Sequence, residues 1–120
     1  MNRIKKFGLL LIITTLVSCT NDSDSDLLEN TESETVTYNE VIKTIMNQKC
    51  VSCHGAIPTN GAPNSLHTYE TVKDAVLNRG LIDRITRIEG QSGFMPLGGS
   101  KLPQNQIDEI IQWQNEDFPL

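Results

Sequence analysis

Apolar positions recur at helical spacing in several stretches of this chain, and no stretch alternates with period two. Over Tyr38 to Lys49, Val41, Ile42, Ile45 and Met46 share one side, with Asn39 as candidate cap. Over Thr68 to Asn78, Val72, Ala75, Val76 and Leu77 gather. Thr68 suits the cap, with Thr71 at the third position, and Asn78 to Gly80 closes the helix. Over Pro103 to Asn115, Ile107, Ile110, Ile111 and Trp113 fall toward one side. Pro103 suits the first turn, where its missing N–H costs nothing. A shorter helix is predicted over Leu81 to Ile88, with Leu81, Ile85 and Ile88 in register. Loops rich in Gly and Pro, Gly55 to Leu66 and Glu89 to Leu102, lie between. The pattern predicts an all-α fold of three to four helices.

Ahead of these stretches the pattern changes. Gly8 to Val17 is an apolar run preceded by Arg3, Lys5 and Lys6. It is about half as long as the roughly 20 residues of a spanning helix. Residues 1–18 therefore read as an export signal rather than a retained span. Leu16-Val17-Ser18-Cys19 resembles the lipobox of bacterial lipoproteins. The resemblance implies cleavage before Cys19 and acylation of its sulfur and nitrogen; an ordinary signal with a chance cysteine is the alternative. Each buried CH₂ contributes about 0.8 kcal/mol, so one acyl chain holds marginally and two or more hold firmly. The expected location is an exported, lipid-anchored one, at the periplasmic face of a membrane or at the outer membrane. Thr20 in place of Asp after the cysteine leans toward the outer membrane.

Residues 19–37 follow as an acidic tether. From Thr20 to Thr37 there are six acids and no base, and apolar residues are sparse. Such a segment buries too little to offset its ordering entropy. Like charges extend it, and as a coil it spans roughly 25 Å. The run after Cys19 also resembles the acidic signal that sends some bacterial lipoproteins to the cell surface. The whole chain has a net charge of −5, which argues against a nucleic-acid partner. Residues 38–120 form the predicted domain, nearly balanced in charge and poor in aromatics. A domain this small is marginal alone and gains from a staple or a large apolar ligand.

Cys50-Val51-Ser52-Cys53-His54 is a C-x-x-C-H motif directly after the first predicted helix. This spacing marks c-type haem attachment. Two thiols three residues apart reach the two vinyl groups of one porphyrin, and the adjacent histidine falls under the ring to ligate iron. A zinc site would have to combine Cys50, Cys53, His54 and His67, an awkward set because His54 adjoins another ligand. A thioredoxin-like pair needs a βαβ context that the pattern lacks. A disulfide at this spacing is strained. With Cys19 assigned to lipid, and Cys50 and Cys53 to one covalent haem c, no cysteine is left over.

The region from Tyr38 to Phe118 resembles a small class I cytochrome c, in particular the bacterial monohaem lipoprotein cytochromes. The resemblance rests on Cys50 to Gly55, then Gly93-Phe94-Met95-Pro96-Leu97-Gly98-Gly99, then a closing helix with Ile107, Ile110 and Trp113. It implies helices around a covalent haem, with the first and last packed together. It also implies Met95 as the distal axial ligand opposite His54, with His67 as the rival; Met46 reads as core. The family often orients its histidine through a proline carbonyl in the following loop, which points to Pro63, or else Pro58. Arg84, Arg87 and Lys101 flank the Met95 loop and are candidates for the haem propionates.

The function implied is single-electron transfer on the exported side of a membrane. A six-coordinate iron leaves no open position for other chemistry. The partners expected are redox proteins or a membrane respiratory complex. Two alternatives stand beside it. One is a sensor or peroxidase-like protein with a labile sixth ligand. The other is an accessory subunit of a larger oxidoreductase.

Overall fold

The computed structural model describes residues 34–120; residues 1–33, with the export signal, Cys19 and most of the acidic tether, lie outside the described residues. Thr37, rather than Asn39, starts the first helix: its hydroxyl accepts the Glu40 N–H at 3.3 Å. The cap lies two residues earlier than the sequence places it, and the opening turn is wide. Tyr38–Ile42 forms a π-helical turn, with the Ile42 N–H donating five residues back to the Thr37 carbonyl. It runs straight into helix α1, Lys43–Lys49. A single-turn helix α2 follows at Val51–His54. Helix α3 is Tyr69–Asn78 and has a full capping box, Thr68 and Thr71 each accepting the other's backbone N–H. Gly80 takes φ +67°, open to glycine at little cost, and turns the chain into helix α4, Leu81–Thr86. Helix α5 is Gln104–Asn115, with Pro103 just ahead of its first turn. There is no strand among the described residues.

The π-helical turn packs on α5, and α4 packs on both α3 and α5. The first and last helices thus meet, as the family resemblance implies. Ile42, Met46, Val72, Ile107, Ile110 and Trp113 are the largest fully buried side chains, and all lie in one core. Met46 is confirmed as core. Leu77 and Ile88, placed in apolar series by spacing, are 53% and 76% exposed. Ile88 escapes because α4 ends at Thr86, two residues earlier than its spacing predicts.

Trp113 organises the end of the core distant in sequence from the cysteine motif. Its ring contacts Tyr38, Tyr69 and Phe118, with centroids 5.9, 5.8 and 4.8 Å away. Its indole N–H donates to the Pro119 carbonyl at 2.9 Å, and the Tyr38 N–H reaches the same carbonyl at 2.9 Å. The tail after α5 therefore folds back over the first helix. Asp117 and Phe118 both take φ +62° to do so. That backbone region costs an L-residue about 1–2 kcal/mol. Burial of the Phe118 ring and the bond from its N–H to the Trp113 carbonyl offset the cost.

The domain's edge also lies earlier than the sequence places it. Val36, assigned there to the tether, is 6% exposed and donates its N–H to the Glu116 carboxylate at 3.0 Å. Gln112 donates to the Glu34 carbonyl at 3.2 Å. One valine in an acidic run carries no pattern, so only the neighbouring α5 shows that it is buried.

Candidate functional site

Cys50 sits at the break between α1 and α2, at φ −123° and ψ −41°. Its carbonyl accepts the N–H groups of Cys53 at 3.1 Å and His54 at 2.9 Å, which winds the motif into the single turn of α2. Both cysteines are free thiols and half-buried. Cys50 packs against the core, and that burial pushes its thiol from 9.0 up to about 11, so it stays protonated at neutral pH. Cys53 lies further out and receives a 3.5 Å contact from the Asn60 amide.

The loop after α2 folds back on the motif. The Thr59 N–H donates to the Cys53 carbonyl at 2.8 Å, and the Leu66 N–H to the His54 carbonyl at 2.7 Å. Between these ties, the Asn64 carbonyl sits 2.7 Å from His54 Nδ1. A carbonyl only accepts, so Nδ1 carries the proton and Nε2 keeps its lone pair for a metal. Sequence reasoning assigns this role to Pro63; the acceptor is the next residue, and Pro63 is exposed. The difference is one of backbone direction, which side-chain identity does not report.

His67 is exposed, one residue beyond the Leu66 tie to the His54 carbonyl. It thus lies in the loop that folds back on α2. Among the described residues no three His, Cys, Asp or Glu side chains gather as a metal site, so the zinc set is not assembled.

Met95 reaches the core from the long loop between α4 and α5. It is half-buried against the same core as Cys50, and its N–H donates to the Arg84 carbonyl on α4 at 3.1 Å. Phe94 beside it is buried, and the Met95–Pro96 peptide is cis. A hollow of about 400 Å³ opens in this loop, lined by Glu89–Phe94 and Leu97–Gly99. None of Cys50, Cys53 or His54 lines it, so it is not the place for a ring joined to both thiols.

The three candidate cations separate. Arg87 donates to the Asp83 carboxylate at 2.6 Å and to the Ser92 carbonyl. Lys101 donates from its ammonium to the Thr86 carbonyl at 3.1 Å, and its backbone N–H donates to Glu89 at 2.6 Å. Both therefore tie the Met95 loop to α4. Arg84 is exposed, and its guanidinium lies beside Gly93.

The donor set fits a covalent haem. Two free thiols and an imidazole with Nε2 available share one turn, and a thioether comes from a separate loop on the same core. Ile57 is 85% exposed just after the motif, and Ile88 and Leu97 are 76% and 79% exposed in the loop that carries Met95. Those segments offer aliphatic surface to a large flat apolar group.

A family model described as cytochrome c oxidase, cbb3-type, subunit III matches residues 39–113. No curated protein and no solved structure matches significantly.

Proposed function

The chain belongs to this family of c-type cytochromes, whose cofactor is covalent haem c, and on that ground we propose that it carries single electrons between redox partners while anchored to a membrane by lipid on Cys19. The observation that carries the reading is the His54 to Asn64 bond, which leaves Nε2 free on the turn that presents both thiols. Cys50 and Cys53 would hold the ring covalently, His54 would ligate from one side, and Met95 would supply the second axial ligand. Arg84 is the propionate candidate that its surroundings leave best placed. Bound haem supplies the one-electron couple of its iron, and His/Met ligation raises that couple's potential. Confinement to a surface raises the effective concentration of partners there.

The family's description as an oxidase subunit favours one further reading, a module that docks in a larger respiratory complex. A stoichiometric partner that co-purifies would establish it. The carrier reading is tested by visible spectra of protein made in a host with haem-attachment machinery. Sharp reduced bands and the weak long-wavelength oxidised band of iron–methionine bonding are expected. Covalent haem without that band, together with carbon monoxide binding to the reduced form, would replace the carrier with a sensor or peroxidase-like protein. Anchoring is tested separately: Cys19→Ala should release the protein from the membrane fraction.

A further inference from the structure

We infer that Arg87 is the positioning residue for Met95, gripping the methionine loop against α4 and so setting how readily Met95 leaves its ligating position. The inference rests on the reading of Met95 as an axial ligand. Arg87 stands at the C-terminal end of α4, and its guanidinium is a fork. One nitrogen donates to Asp83, one turn back on the same helix, at 2.6 Å. The other donates to the Ser92 carbonyl, three residues before Met95. Asp83 thus aims the guanidinium, and the guanidinium holds the loop.

The loop is shaped for this contact. Gly93 follows Ser92 at φ +77°, and a Cβ there would collide with the Arg87 guanidinium. The chain passes this close to Arg87 because it has no side chain at that point. Two reciprocal contacts stiffen the adjoining turn: the Gln91 N–H donates to the Ile88 carbonyl at 3.0 Å, and the Ile88 N–H donates to the Gln91 side chain at 3.2 Å. The Arg84 carbonyl then receives the Met95 N–H. Between Ser92 and Met95 the backbone therefore has two fixings to α4, and only the Arg87 one is made by a side chain.

An exposed ion pair such as Asp83–Arg87 adds little to global stability. Its effect is local. An external ligand binds iron only when Met95 is displaced, so its apparent affinity scales with the displaced fraction. Loss of the grip raises that fraction.

The test uses the holoprotein, with imidazole as the competing ligand for ferric iron. Arg87→Gln should bind imidazole roughly two- to tenfold more tightly, the range expected for one lost hydrogen bond. Its methionine band should weaken while covalent haem content and unfolding temperature stay near those of the parent. Arg87→Lys and Asp83→Asn should fall between, since each keeps part of the fork. Arg79→Gln removes a comparable exposed ion pair, with Asp74, away from the loop and should match the parent. Unchanged imidazole affinity and band in Arg87→Gln would overturn the inference. So would a variant that loses haem or unfolds, because the role would then be general support. A parent protein without a methionine band would instead overturn the ligand reading itself, visibly before any variant is made.

Discussion

His54 donates Nδ1–H to the Asn64 backbone carbonyl at 2.7 Å. The bond fixes the tautomer and aims the ring, yet it uses nothing of the Asn64 side chain. Asn64→Ala should therefore leave the oxidised and reduced band positions and the reduction potential unchanged. His54→Ala should remove the proximal ligand and shift every band. Spectra and a redox titration of the two variants check this, and an Asn64→Ala protein that behaves like His54→Ala would show that the side chain matters.

Met95 and the thiols should separate ligation from folding. Met95→Ala is expected to keep covalent haem, lose the methionine band and lower the potential, because a thioether favours the ferrous state. The double variant Cys50→Ala, Cys53→Ala is expected to be largely unfolded, since the small core then lacks its covalent group. Circular dichroism decides the second point; a well-folded double variant would contradict it.

Trp113 is fully buried at the meeting of the first helix, α5 and the tail. Trp113→Ala should cost about 3–5 kcal/mol, a large share of a small domain's stability. Trp113→Phe should cost less, because the Pro119 carbonyl keeps its second donor, the Tyr38 N–H. Denaturant unfolding of the holoprotein should rank the two in that order.

The capping box of α3 should be worth about 1 kcal/mol. Thr68→Ala and Thr71→Ala each break it, so the double variant should cost less than the sum of the two single costs. Thermal unfolding of the three variants measures the shortfall.

Two carboxylates on α3 set the direction of its acid response. Hydrogen bonding from Arg79, then from Asn78, holds Asp74 below 3.8. Backbone hydrogen bonding in the first turn, then the Thr68 hydroxyl, holds Glu70 below 4.5. A lowered folded pKa means a contribution present above the unfolded value and lost as pH falls through the folded one. Asp74→Asn should therefore lose less stability than the parent between pH 6 and pH 3. Both groups are exposed, so the difference should be small, and unfolding curves at the two pH values give its sign.

What lies within a turn or two of one residue is legible in the amino-acid pattern alone. The 3.6-residue spacing placed α1, α3, α4 and α5, and the side-chain signal of Thr68 and Thr71 placed the cap of α3. The C-x-x-C-H spacing marked the chemistry because attachment itself depends on that spacing. The features that needed the folded chain have a common cause. The acceptors for His54, Arg87, Lys101, Met95 and Trp113 are the backbone carbonyls of Asn64, Ser92, Thr86, Arg84 and Pro119. Every residue carries such a carbonyl, so residue type does not say which one turns inward. That choice sent the histidine bond to Asn64 instead of Pro63 and made Arg87 and Lys101 fastenings of the Met95 loop. It also folded the tail over Trp113. Each outcome follows from how distant segments pack, which a local pattern does not encode.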